Sequence, residues 1–309
     1  MIIHTGARTD TVRFYTDWLL KRFEEGFVLS RNPMFPTHVS RLRLDPQVVD
    51  CVVFCSKDYA PILDRLHGIT DRFNTFFFYT ITAYGEDVEP TSPSIDESIE
   101  TLLRLEEQVG SQRIAWRYDP VLLTDSYTVE RHFEVFDQMA ERLTGHVDRC
   151  IFSFVEIDEM VRRNMPRLLL FKDGQKRALA KGLGAIAQRH GLPIQSCAES
   201  EDYGEFGIAP SGCLSRSMIE QANGIMLKPM GRDKLRPECC CIVSRAIGDY
   251  NTCPGGCQYC HATRRRDILR RNLKSHDPDA PLLIGELSEA DQVAASDQRS
   301  YRIFQDTLF

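Results

Sequence analysis

Three cysteines stand close together near the end of the chain, in Cys253-Pro-Gly-Gly-Cys257-Gln-Tyr-Cys260-His261. The spacing is C-x3-C-x2-C. A cubane [4Fe–4S] cluster needs thiolates that converge on neighbouring iron corners from one compact loop, and glycines give the backbone the freedom to do so. Gly255 and Gly256 sit inside the run. A structural or electron-transfer cluster takes four cysteines, whereas three leave one iron open to a ligand. The plainer alternative is a zinc site on two or three of these cysteines with His261, because C-x2-C pairs also serve zinc. The complete three-cysteine spacing favours the cluster.

This loop is similar to the signature of the radical S-adenosylmethionine superfamily, with Tyr259 at the aromatic position before the third cysteine. The resemblance implies that S-adenosylmethionine chelates the open iron through its amino and carboxylate groups. It also implies that one electron from the cluster breaks the sulfonium bond, and that a 5′-deoxyadenosyl radical then acts on an unidentified small-molecule substrate. An electron donor such as flavodoxin or ferredoxin would be the protein partner.

A second group of cysteines precedes the loop: Cys197, Cys213, Cys239, Cys240 and Cys241. In an extended segment alternate residues point the same way, so Cys239 and Cys241 can share one metal while Cys240 faces elsewhere. With Cys197 and Cys213 they offer four thiolates, enough to close a site. A second [4Fe–4S] cluster and a structural zinc ion both fit that count. Cys51, Cys55 and Cys150 lie on expected strands and read as small buried hydrophobes.

The elements that must position these groups alternate along the chain. Strands are expected at Ile2–Thr5, Cys51–Cys55, Thr75–Thr82, Ile114–Tyr118, Cys150–Val155, Pro193–Cys197 and Gly224–Lys228. Several are continuously apolar, as in Val52-Val53-Phe54 and Phe76-Phe77-Phe78, which suits a parallel sheet covered on both faces. Helical spacing recurs at Asp10–Phe23, Ser94–Val109 (opening on a capping box), Val129–Leu143 and Lys176–His190. The expected fold is α/β: a parallel (β/α) barrel, full or partial, with a cysteine-rich C-terminal segment. The barrel occupies 1–230, the cysteine-rich segment 231–274, and a peripheral tail 275–309.

In such barrels functional side chains sit at the carboxyl ends of strands. Those ends supply Arg8, Thr9 and Asp10, then Lys57, Thr82 and Tyr84, then Arg117 and Asp119, then Glu156 and Glu199. Arg8, Asp10, Lys57 and Glu156 are candidate cofactor contacts. Lys57 could pair with a carboxylate and Arg117 could fork onto a carboxylate or phosphate. Asp119 could position Arg117, and Tyr84 could donate a hydrogen atom or simply pack.

The 309 residues carry a formal charge of −6 and are 42% hydrophobic. That supports a sizeable core and argues against a surface that grips nucleic acid throughout. A basic run from Arg264 to Leu273 reads as a solvated helix face or a landing site for an acidic reductant. There is no run of about 18 apolar residues and no signal-peptide pattern at the start, so the expected compartment is the cytoplasm, with no membrane partner.

Taken over nearly its whole length, the chain resembles the bacterial family of unknown function DUF1848. The resemblance rests on Arg8-Thr9-Asp10, Phe14-Tyr15, Trp18, Arg31-Asn32-Pro33, Tyr79-Thr80-Ile81-Thr82, Tyr84-Gly85, Trp116-Arg117-Tyr118-Asp119-Pro120, Ser153-Phe154, Cys239, Cys241, Ile247-Gly248, Tyr250 and the cluster loop. The chain departs at Cys55-Ser56, at Ala246 and at His261. Radical enzymes of this kind carry the loop after their first strand, which implies a circularly permuted barrel here. The segment around Cys241–Ser244 would act as the first strand and the chain's own start as the second. Two other readings compete: a non-enzymatic iron–sulfur or zinc protein, and a repair enzyme similar to spore photoproduct lyase.

Overall fold

Runs such as Val52-Val53-Phe54 can be strands only if both faces are covered, and the fold covers them. The computed structural model describes residues 1–210, 212–233 and 238–303. Its strands are β1 (Ile2–His4), β2 (Phe27–Arg31), β3 (His38–Arg43), β4 (Cys51–Ser56), β5 (Thr75–Thr80), β6 (Ile114–Val121), β7 (Arg149–Phe154), β8 (Ile194–Ser196), β9 (Ile208–Pro210), β10 (Arg245–Ala246) and β11 (Gln292–Ala295). The helices are α1 (Thr11–Phe14), α2 (Thr16–Glu25), α3 (His67–Thr70), α4 (Ile95–Val109), α5 (Val129–Leu143), α6 (Glu159–Asn164), α7 (Gln175–His190), α8 (Arg216–Asn223) and α9 (Arg266–Lys274). None of them is long and apolar enough to cross a membrane.

Eight strands form one parallel sheet in the order β10-β1-β4-β5-β6-β7-β8-β9. The arrangement is a partial parallel (β/α) barrel with an open seam between β9 and β10. The edge strand before β1 comes from the C-terminal third of the chain. It pairs Arg245 with Ile3 and Ala246 with His4, just beyond the Cys241–Ser244 segment expected from sequence.

Alternation along the strands divides their side chains between two cores. Val52, Phe54, Phe77, Tyr79, Trp116, Tyr118, Cys150 and Phe152 join the helix-covered core with Leu102, Phe136 and Leu183. Ile2, Cys51, Val53, Phe76, Phe78, Ala115 and Ile151 fill the other face, the inside of the barrel. Each large apolar side chain removed from water contributes about 1.5–3 kcal/mol. The capping box expected at Ser94 is present, with Ser94 Oγ accepting from the Glu97 amide at 3.3 Å and the Glu97 carboxylate accepting from the Ser94 amide at 2.9 Å.

Four expectations are corrected. The run Asp10–Phe23 is two helices, because Tyr15 leaves the helical region at φ −138°. Gly224–Lys228 is not a strand. Gly224 takes a left-handed φ of +61° to end α8, and among the described residues the segment pairs through an isolated bridge from Leu227 to Arg302. A second sheet, β11-β3-β2, was not expected. Its strands carry charged residues among few buried ones, so the period-two signal is thin. Nor is 275–309 merely peripheral. Leu282 and Leu283 are buried, Trp18 Nε1 donates to Ala280 O at 2.9 Å, and β11 pairs in parallel with β3. Residues 304–309 of that tail lie outside the described residues.

Candidate functional site

The alternation that fills the barrel also builds the site. Beyond Cys51 and Val53 the next inward position of β4 is Cys55. Beyond Ala115 on β6 come Arg117 and Asp119, and beyond Ile151 on β7 comes Ser153. At the carboxyl ends of these strands lies a cavity of 290 Å³. Its walls include Asp10, Lys57, Arg117, Asp119 and Glu156, and it is closed on another side by Cys253, Cys257 and Cys260 with His261. The sequence places these groups up to 251 residues apart, at Asp10 and His261. Parallel strands deliver them to one end of the sheet.

The cysteine loop follows β10 and is tied to the barrel by its backbone. Tyr15 donates its hydroxyl to Thr252 O at 2.6 Å, Thr91 donates to Gly255 O at 3.0 Å, and the Gln258 amide donates to Val88 O at 3.0 Å. Gly256 takes φ +73°, a conformation that side chains resist. Burial pushes the Cys253 thiol up to about 11 and the Cys257 thiol up to about 12. His261 Nδ1 lies 3.4 Å from Asp158.

Lys57 is committed to a partner that the sequence reading missed. Its Nζ lies 2.8 Å from Glu89, a carboxylate only 3% exposed. Glu89 also accepts from Thr82 at 2.8 Å, from Ser92 at 3.0 Å and from the Tyr259 hydroxyl of the loop. Burial works against the charge on Glu89, but Lys57 and these donors outweigh it, and its pKa falls. No spacing signal marks Glu89; only its place in the loop after β5 hints at it.

Asp10 caps α1 by accepting from the Arg13 amide at 3.1 Å, and it also accepts from Ser56 Oγ at 2.7 Å and the Lys57 amide at 3.1 Å. Both oxygens are thereby used to fix the β4–α1 corner. Arg117 pairs with Asp119, which also accepts from Ser153. Arg117 Nη1 donates to Cys55 Sγ at 3.3 Å. Burial opposes the charge on Arg117, but Asp119 and the nearby thiols of Cys55, Cys213 and Cys197 outweigh it.

Arg8, Thr82, Tyr84 and Glu199 stand away from the cavity lining. Arg8 approaches Ser30, Arg31 O and Gly248 O at 3.4–3.5 Å. The Tyr84 hydroxyl donates to Pro120 O at 2.7 Å and accepts from the Leu122 amide at 2.8 Å. Its ring packs edge-on against Tyr259 at 6.2 Å, so the geometry gives Tyr84 a packing role. Glu199 accepts from the Phe154 amide at 2.8 Å and pairs with Lys176.

The second cysteine group divides. Sulfur atoms of Cys197, Cys213 and Cys241 all lie within 4.8 Å of one another, and the three can hold a metal ion. Cys240 is exposed, while Cys239 packs beside Cys241.

This chain belongs to the family described as Domain of unknown function (DUF1848), whose model matches residues 2–262. Neither the curated proteins nor the solved structures yielded a match.

Proposed function

We propose that the protein is a radical S-adenosylmethionine enzyme. Cys253, Cys257 and Cys260 would hold a [4Fe–4S] cluster whose bound S-adenosylmethionine is reductively cleaved to supply a 5′-deoxyadenosyl radical. The observation that carries this reading is the shared cavity: the three loop cysteines face the same 290 Å³ space as Asp10, Lys57, Arg117, Asp119 and Glu156. A closed structural site has no need of a polar cavity beside it. The remaining cavity thiol, Cys55, is engaged by Arg117, which leaves the loop with three cysteines to give.

The chain's own residues divide the remaining work. Lys57 and Glu89 hold Tyr259, and so the loop, against the barrel end. Arg117, oriented by Asp119, presents a charge fitted to a carboxylate. Ser153, Phe154 and Val155 line the cavity beside them.

The test is anaerobic reconstitution with iron and sulfide, followed by a reductant and S-adenosylmethionine. Formation of 5′-deoxyadenosine, lost in Cys253/Cys257/Cys260→Ala, is the expected result. No product from a chain holding its full complement of about four irons, and no change in its paramagnetic spectrum on adding S-adenosylmethionine, would favour a redox sensor or electron carrier instead.

A further inference from the structure

Cys197 follows β8, Cys213 follows β9 and Cys241 precedes β10. Strands β9 and β10 are the two unpaired edges of the barrel sheet. The three cysteines therefore meet across the seam where the barrel fails to close.

The chain segments at that seam are locked together. A Cβ on Gly212 would stand 2.4 Å from the Cys241 amide nitrogen and 2.6 Å from Cys240 O, so only glycine allows this approach. The Ile242 amide donates to Leu214 O at 2.9 Å, and Gln195 donates to Gly212 O at 3.1 Å. Within this frame the sulfurs of Cys213 and Cys241 are 3.2 Å apart, and the Cys213 amide points at Cys197 Sγ from 3.3 Å. Cys197 and Cys241 are each 9% exposed. Of these three closely packed thiols two are buried and Cys213 is half-buried, and a disulfide between any two would leave the third without its sulfur partner.

The spacing distinguishes the occupants. Four thiolates on one tetrahedral zinc ion, with bonds of about 2.3 Å, have sulfurs about 3.8 Å apart. Thiolates on a cubane bind different iron corners and must stand farther apart. The mutual limit of 4.8 Å among Cys197, Cys213 and Cys241 suits a single ion. The loop cysteines Cys253, Cys257 and Cys260 do not form so tight a group, although all are described.

We propose that Cys197, Cys213 and Cys241 bind one zinc ion that staples the open seam of the barrel, with Cys239 as the fourth ligand. Cys239 stands outside the 4.8 Å group but packs in the same apolar cluster as Cys213 and interacts with Cys241, two residues along the chain. Zinc on four thiolates carries net negative charge, and the Arg117 guanidinium, whose charge Cys197 and Cys213 favour, is placed to offset it. The ion thus also supports the cavity wall to which Arg117 belongs. This inference is independent of the proposed radical chemistry, because it involves none of the loop cysteines.

The full chain carrying Cys253/Cys257/Cys260→Ala isolates this site from the other. Purified without oxygen, it should contain one zinc per chain and no labile sulfide. X-ray absorption at the zinc edge should show four sulfur neighbours at about 2.3 Å. Adding Cys239→Ser should exchange one sulfur for a lighter atom while zinc is retained. Iron with sulfide at about four per chain would overturn the proposal in favour of a cubane. So would a metal-free protein or a Cys213–Cys241 disulfide found by thiol counting. Four sulfurs that persist in Cys239→Ser would overturn the assignment of the fourth ligand.

Discussion

Tyr259, between the second and third cysteines of the loop, donates its hydroxyl to Glu89, the buried carboxylate that also pairs with Lys57 at 2.8 Å. One carboxylate therefore joins the loop to the ends of β4 and β5. Truncating one member of a buried pair leaves the other charge without compensation, at a cost of about 3–5 kcal/mol. Glu89→Ala should lose stability on that scale in urea denaturation. The double variant Lys57→Met/Glu89→Met should be more stable than Glu89→Ala, since it strands no charge. A loss in the double variant equal to the summed losses of Lys57→Met and Glu89→Met would show that the two residues are not coupled.

Gly6 follows β1 and runs against the neighbouring strand, where a Cβ would stand 2.1 Å from Cys55 O. Backbone cannot yield as a flexible side chain can, so Gly6→Ala should cost about 2–3 kcal/mol. Gly68, in α3, has nothing within 4 Å of a new Cβ. Gly68→Ala should be neutral or stabilise by up to about 1 kcal/mol. Thermal denaturation of the pair separates them, and equal effects would contradict the packing at Gly6.

His132 sits between the Tyr118 hydroxyl at 2.6 Å and Leu122 O at 2.7 Å, and burial lowers its pKa to about 4. Its folded-state value lies below the unfolded one, so the unfolded chain binds the extra proton first. The stability it contributes is present above about pH 6.5 and is lost as pH falls towards 4. Between pH 7 and pH 5 the loss should be about 2 kcal/mol. In His132→Gln that part of the acid slope should vanish. An unchanged slope would mean that the ring takes up its proton in the folded state.

Arg117 meets Asp119 and Cys55 with separate nitrogens of its fork, which lysine cannot reproduce. Under the proposed function, Arg117→Lys should retain its iron yet form 5′-deoxyadenosine about tenfold more slowly, as expected for one lost charge-assisted hydrogen bond. Unchanged turnover would remove Arg117 from the binding of S-adenosylmethionine or substrate.

Much of this was legible in the chain itself. Continuous apolar runs demanded covered parallel strands, since such strands cannot face water. The C-x3-C-x2-C run marked a compact cysteine loop, whose three thiols the fold brings to the cavity lining, because close spacing and glycine let the chain turn tightly. Reading the carboxyl ends of strands found Asp10, Lys57, Arg117, Asp119 and Glu156, all of which line the cavity, because strand direction fixes where those ends lie. Tertiary structure alone decided the rest. Glu89 has no periodic or spacing signal, and its partnership with Lys57 and Tyr259 exists only once two strand ends and a loop 170 residues away are brought together. Tyr84 reads as chemistry at a strand end, but packing gave its hydroxyl two backbone partners. The convergence of Cys197, Cys213 and Cys241 also depends on the seam. Local sequence sets which strand end each thiol flanks, but only barrel curvature sets the distance between edges β9 and β10.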